Sequence, residues 1–313
     1  MDFLGDTEET FSKEEYPGNG KGKKTLFFQL LREKKIRELS GDYITAVCLP
    51  DTLKKIGNLA FYQCRKLKKI AFAGEKRGKE AVFELGSDAF MNCRSLNTFL
   101  FFYPPEIATG LRRILAQQRG ETIVYFKDTL DSLERNLSEK EILFSEEKNV
   151  TAAVLFPEYS EQYDLIGPAH IFELNIEGEG LRARQCFENE VFQFEKYDQV
   201  FLQACDTEEE RTLCKMAALR LCYPVALKTE AKEQYQSYLL LHGGMFCELL
   251  VRERSLKFME ALAEQGIFEE KHWEICIRKT VEAKWPEGTR SILAWKKRKR
   301  QKDEEEAYGF EDF

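Results

Sequence analysis

Leu53-Lys-Lys-Ile56-Gly57-Asn-Leu-Ala60-Phe61-Tyr-Gln-Cys64-Arg-Lys-Leu67-Lys-Lys-Ile70-Ala-Phe72 returns as Leu85-Gly86-Ser-Asp-Ala89-Phe90-Met-Asn-Cys93-Arg-Ser-Leu96-Asn-Thr-Phe99-Leu-Phe101. From Gly57 to Gly86 is 29 positions, and Ala60/Ala89, Phe61/Phe90, Cys64/Cys93, Leu67/Leu96 and Ile70/Phe99 keep that offset. A period in the twenties with apolar residues on a fixed grid is the signature of a stacked solenoid. Each unit contributes a short strand with its apolar side inward. Gly57 and Gly86 permit the bend that starts the opposite side. Cys64 and Cys93 occupy one repeat position and read as small apolar fillers of the stack.

Working upstream, Ile44-Thr-Ala-Val47-Cys-Leu49-Pro50 alternates like a strand and stops at proline. Leu26, Phe27, Leu30, Leu31, Ile36 and Leu39 have amphipathic helical spacing, so a helix ending near Gly41 is expected to cap the solenoid. Residues 1–24 mix acids, lysines and glycines and are expected to form a mobile leader. Residues 74–79 read as an inserted surface loop.

Downstream, Thr122-Ile-Val-Tyr-Phe126 and Thr151-Ala-Ala-Val-Leu-Phe-Pro157 each read as strands, with a helix over 106–118 before the first of them. These units continue the stack in degenerate form, since roughly three repeats are needed for stability. Residues 158–205 are rich in Tyr, Phe and Glu and read as a connector. The period then becomes helical. Thr207-Glu-Glu-Glu210 suggests a capping box, and further helices are expected at 229–242, 245–252, 255–265, 269–284 and 289–300. Short helices with tight turns imply stacked antiparallel hairpins. Residues 301–313 form an acidic tail. The expected class is therefore α+β, a short leucine-rich-repeat solenoid over 25–157 followed by a helical repeat stack over 206–300.

The repeated unit resembles the BspA-type leucine-rich repeat, whose Leu-Pro, Ile-Gly, Ala-Phe and Cys-x-x-Leu signature is matched by Leu49-Pro50, Ile56-Gly57, Ala60-Phe61 and Cys64 to Leu67. The helical portion resembles ankyrin-type repeats through Ser255-Leu-Lys-Phe-Met-Glu-Ala-Leu262-Ala-Glu-Gln-Gly266. Thr289 follows Ser255 by 34 residues, near the ankyrin period of 33. The Thr-Pro-Leu-His turn of that family is absent, with Lys271-His272-Trp273-Glu274 near its place. Both resemblances imply protein recognition without catalysis. The first points to bacterial proteins, and the N-terminus lacks the secretion signal of that family's surface members, so an intracellular bacterial protein is expected.

Composition restricts the function classes. In 313 residues, 43% are apolar and the net charge is −7, which suits globular cores and argues against a molecule built as a whole to neutralise phosphates. No stretch approaches the roughly 20 apolar residues of a membrane span. The nine cysteines, without a CxxC pair, fit reduced thiols in a cytoplasmic protein.

Candidate chemistry is sparse. Gly18-Asn-Gly20-Lys-Gly22-Lys-Lys-Thr25 lacks the spacing of a phosphate-binding loop and emerges from polar residues, so it reads as linker. His170, His242 and His272 have no partner histidine at metal-ligand spacing, and neither metal nor cofactor is expected. Glu269-Glu270 sits where a helix N-terminus favours negative charge. A Cys/His nucleophile pair is a third class, distinguished by an acidic, solvent-reachable thiol.

The basic run Lys296-Lys-Arg-Lys-Arg300 reads as a solvated helix end neutralised by Asp303 to Glu306, with phosphate contact as the alternative. The favoured surface is the strand face of the solenoid. Arg65, Lys66, Lys68 and Lys69 flank the inward Leu67 and Ile70, and Arg94, Ser95, Asn97 and Thr98 take the equivalent places. Such a basic stripe can steer an acidic partner protein, or simply keep an exposed strand soluble. The overall expectation is a non-enzymatic interaction scaffold, with a nucleic-acid-associated regulator as the alternative.

Overall fold

The computed structural model describes residues 2–3, 44–49, 53–72, 84–105, 110–127, 150–166, 171–254 and 256–308. The expected leader (apart from Asp2–Phe3), the capping helix near 25–41 and the loop at 74–79 lie outside these residues. Asp2–Phe3 pair in parallel with Lys55–Ile56, so the first residues of the expected leader are paired.

A five-stranded sheet organises the N-terminal half. It is built from β1 (Ala46–Leu49), β2 (Lys69–Phe72), β3 (Thr98–Phe101), β4 (Thr122–Lys127) and β5 (Val150–Phe156). The first four run parallel, with Val47, Ile70, Phe99 and Val124 in one row, and β5 returns antiparallel. The 29-residue offset therefore becomes spatial register. Phe61 stacks on Phe90 with centroids 5.6 Å apart, Phe72 on Phe101 at 4.8 Å, and Phe101 on Phe126 at 5.7 Å. Each ring is almost fully buried and stabilises the stack by about 1.5–3 kcal/mol.

Backbone bonds tie one repeat to the next. Leu59, Phe61 and Gln63 donate their N–H groups to the carbonyls of Ser87, Ala89 and Met91. The bends use left-handed backbone at matching places, with φ of 54° at Leu59 and 52° at Asp88, then 59° at Gln63 and 63° at Asn92. A Cβ on Gly86 would lie 2.4 Å from the Asn58 backbone nitrogen, so the coils approach too closely there for any side chain. The second repeat is sealed by Gln117, which follows the short helix Leu111–Leu115. Its carboxamide accepts from the Ala89 N–H and donates to the Gly86 carbonyl.

Both faces of the sheet are buried. By strand alternation Ile70, Phe72, Phe99, Phe101, Val124 and Phe126 share one face, while Ala71, Leu100 and Tyr125 share the other, and all are at most 3% exposed. Parallel strands covered on both sides read as continuous apolar runs, as Thr122-Ile-Val-Tyr-Phe126 does.

After β5 comes a hairpin of β6 (Ser160–Ile166) and β7 (Ile171–Glu177), then a helical half. Its members are α1 (Phe194–Ala204), α2 (Glu210–Cys222), α3 (Thr229–Leu241), α4 (Gly243–Glu253), α5 (Leu256–Glu264), α6 (Glu270–Glu282) and α7 (Pro286–Tyr308). The central helix is α2, which packs against β5 on one side and against α3, α4 and α5 on others. Consequently Leu213 to Leu221 are buried on every face, Lys215 and Arg220 included.

Those two charges are compensated. Arg220 donates from Nε and Nη2 to the Asp198 carboxylate at 2.7 and 2.9 Å, and Tyr235 donates to the same carboxylate at 2.8 Å. Lys215 pairs with Glu121, which joins α2 to the loop before β4. Arg184 is also buried and donates to the backbone carbonyls of Gln118, Pro157, Gly180 and Gly120, fastening the last turns of the repeat half to the helical half. Desolvation lowers its pKa to about 10.

The helical boundaries differ from expectation for local reasons. The expected box at Thr207 does not form, because the Thr207 and Glu208 N–H groups donate to the Ala204 carbonyl and so close α1, and α2 starts at Glu210 with Glu209 before it. Gly243, which falls between the helices expected at 229–242 and 245–252, is the first residue of α4, where a Cβ would lie 2.0 Å from His272 Nε2. Pro286 opens α7, as suits a residue without an N–H. That helix runs on through 308, past the expected start of an acidic tail.

Candidate interaction surfaces

The residues expected on the strand face divide between a rim and the core. Arg65, Lys66 and Arg94 are exposed in the turns that precede β2 and β3. Lys68, Ser95, Asn97 and Thr98 are half-buried, and Lys69, the first residue of β2, is only 9% exposed. Thr98 donates its hydroxyl to Asn97 Oδ1 at 2.9 Å, so these two side chains are occupied with each other. The cause is the doubly covered sheet, which leaves the strand face no solvent to meet. Basic character survives at the N-terminal rim of the strands, where Arg65 and Arg94 hold one repeat position.

A second surface was not visible as such in the residue types. Strands β6 and β7 pair from Ser160 with Glu177 to Ile166 with Ile171, and among the described residues no third strand joins them. Register puts Glu161 opposite Ile176 and Tyr163 opposite Leu174 on one face. Ser160 with Glu177 and Gln162 with Asn175 share the other. Tyr163 is 65% exposed, Leu174 46% and Ile176 44%. Its signal in the sequence is alternation, Tyr163-x-Leu165 and Phe172-x-Leu174-x-Ile176 about the turn-prone Gly167-Pro168.

The basic run at 296–300 faces acids of neighbouring helices. Lys296 and Arg300 pair with Glu270 at 2.5 and 2.9 Å, and Arg298 pairs with Glu260 at 3.1 Å. Lys299 donates to the Phe268 carbonyl at 2.7 Å, and Trp295 donates its indole N–H to Glu260 at 3.0 Å. These contacts hold α7 against α5 and the start of α6. The acids paired with the run are thus Glu260 and Glu270 of neighbouring helices.

Residues 39–134 match the family model of the BspA type leucine rich repeat region, in 6 copies. No curated protein and no solved structure matches the chain. Within the repeat region the two clearest copies are those that carry the Phe61/Phe90 and Cys64/Cys93 pairs. Repeats of this type generally bind protein partners.

The thiols, on which the third function class depends, divide by burial. Cys93 in the repeat region is the thiol whose pKa is lowered, through a hydrogen bond with Cys64, yet it is only 6% exposed. Burial pushes Cys48 and Cys214 up to about 12 and Cys186 up to about 11. Cys205 is exposed, and its pKa is raised by residual desolvation and by Asp206. Low pKa and solvent access therefore do not coincide in any one thiol. Among the described residues no cluster of His, Cys, Asp and Glu has metal-binding geometry, and no helix is long and apolar enough to cross a membrane.

Proposed function

We propose that the chain is a non-catalytic adaptor that recognises an acidic partner protein through the rim of its repeat region. The observation that carries this reading is the repetition of an exposed cation, Arg65 and Arg94, at one offset in the turns that lead into strands locked in register. Rigid stacking holds such groups in place, so docking costs little side-chain ordering, and the shared sign steers an oppositely charged surface. In this reading the repeats form a short solenoid. The helical half is its ankyrin-like continuation, supported by the serial packing of α2 on α4 and α4 on α6, and of α5 on α7. Nine cysteines without a disulfide support a reducing, cytoplasmic setting, and the repeat family's bacterial members support a bacterial one.

The test is affinity capture by the intact protein beside the variant Arg65→Glu, Lys66→Glu, Arg94→Glu, with mass spectrometry and nuclease treatment. A protein partner lost in the variant and insensitive to nuclease is expected. Equal capture by both proteins overturns the rim as the site. Nuclease-sensitive capture transfers the reading to the nucleic-acid alternative.

A further inference from the structure

We infer that Cys64 and Cys93 are an oxidative modification site, a thiol pair that a small hydroperoxide converts to a disulfide joining the first repeat to the second. The fold builds the pair. Phe61 and Gln63 donate their N–H groups to the Ala89 and Met91 carbonyls at 2.8 and 3.0 Å, and beyond the cysteines Asn97 donates to the Lys68 carbonyl at 3.2 Å. Coils bonded in this way on both sides of one repeat position stand about 4.8 Å apart, within the roughly 4.4–6.8 Å Cα separation that a disulfide spans. The side chains converge as well. Cys93 Sγ donates to the Phe61 carbonyl at 2.9 Å and hydrogen-bonds with the side chain and backbone of Cys64, so its sulfur lies in the corner of the first repeat.

Cys93 is the sulfur that reacts first. Its bond with the Cys64 side chain lowers its pKa, against desolvation, which raises it. The thiolate is the reactive form. Cys93 is also the more open of the two, 6% exposed against 0% for Cys64. That opening excludes a peptide, whereas hydrogen peroxide is scarcely larger than water. Cys93 loses its proton and its sulfur attacks one peroxide oxygen. The O–O bond breaks, and the departing hydroxide takes up that proton to become water. Cys93 is thereby oxidised to a sulfenic acid and the peroxide is reduced. The Cys64 sulfur then attacks the sulfenic sulfur, the S–O bond breaks, and the hydroxyl leaves as water with the Cys64 proton. Two thiols and one peroxide give one disulfide and two waters.

The helical half supplies an internal contrast. Cys276 hydrogen-bonds with Cys247, but both are fully buried, and that bond together with burial holds the Cys276 pKa well above the ordinary thiol range. Proximity without a stabilised thiolate leaves this second pair reduced. Arg65 and Arg94 directly follow the reactive cysteines, so the new bond fixes the spacing of the rim cations. The inference itself does not depend on what the rim binds.

The test treats the whole reduced protein with hydrogen peroxide, blocks the remaining thiols by alkylation and maps linked peptides by mass spectrometry. Cys205→Ser is the background, since Cys205 is exposed and would join separate molecules. We expect a peptide pair linked through Cys64 and Cys93, formed at least about tenfold faster than any link between Cys247 and Cys276 and reversed by dithiothreitol. In Cys64→Ala no resolving thiol remains, and dimedone is expected to trap a sulfenic acid on Cys93. Absence of the link under conditions that oxidise Cys205 in the unsubstituted protein overturns the inference. Equal oxidation of both pairs, or a link formed only in urea, also overturns it, because either means reaction through unfolding. So does a sulfenic acid on Cys93 that persists with Cys64 intact. The linked-peptide result comes from a chain that retains both cysteines, so the test stands even where Cys64→Ala is unstable.

Discussion

His272 shows how one side chain ties a local turn to distant packing. Its Nδ1 accepts the Glu269 N–H at 3.1 Å at the start of α6, and its ring fills the space left by Gly243 at the start of α4. Burial pushes its pKa below the ordinary 6.5, with Lys271 adding to the effect and Glu269 opposing it. The folded protein therefore keeps the ring neutral while the unfolded chain takes up a proton as pH falls through about 6.5. His272 thus draws stability down as pH falls below that value, with the full contribution present above it. Denaturant titrations between pH 7.5 and 5.5 check this. His272→Asn retains the acceptor without the titration and is expected to flatten the slope, and an unchanged slope refutes the assignment. Nothing in the sequence announced this role, because a glycine at 243 and a histidine at 272 acquire meaning only when α4 and α6 lie together.

Among elements, the repeats were the most legible, because a repeated offset is a statement about register that needs no tertiary information. Strand β2 falls on Lys69–Phe72 and β3 on Thr98–Phe101, where the recurring Ile70 and Phe99 placed them. Helices α3 to α6 also lie within a few residues of their periodic patterns. Less legible were elements whose identity depends on partners. The surface status of Lys69 turned on a second cover over the sheet, and the hairpin was hidden by a composition that reads as a linker. Gln117 belongs to the same class, since its two bonds to the Ala89 N–H and the Gly86 carbonyl join residues 28 and 31 positions apart. Gln117→Ala leaves both backbone groups without this partner and is expected to destabilise the protein by about 1–3 kcal/mol. Chemical denaturation measures the loss, and hydrogen exchange is expected to quicken at Ala89 before β4.

At the scale of the molecule, one hydrophobic cluster runs from Ile44 through Phe156 and Leu219 to Trp295. The chain does not divide where the composition changes. A fragment ending at 205 removes α2 from β5 and strips Glu121 of Lys215 and Thr212, while Asp198 loses Arg220 and Tyr235. Such a fragment is expected to lose cooperative unfolding and the slow amide exchange that β2 to β4 have in the whole chain. Native-like exchange protection in the fragment would show the repeat half to be autonomous.

Gln117 has one more consequence, an evolutionary one. The second repeat is closed on that side by an amide side chain, and the joint to the helices is made by Arg184 and Lys215 further along. A tandem duplication of the 29-residue unit between Gly57 and Leu85 disturbs neither. Lineages are free to gain or lose whole coils upstream, and with them cations along the rim, while inheriting the same terminal seal and the same helical half.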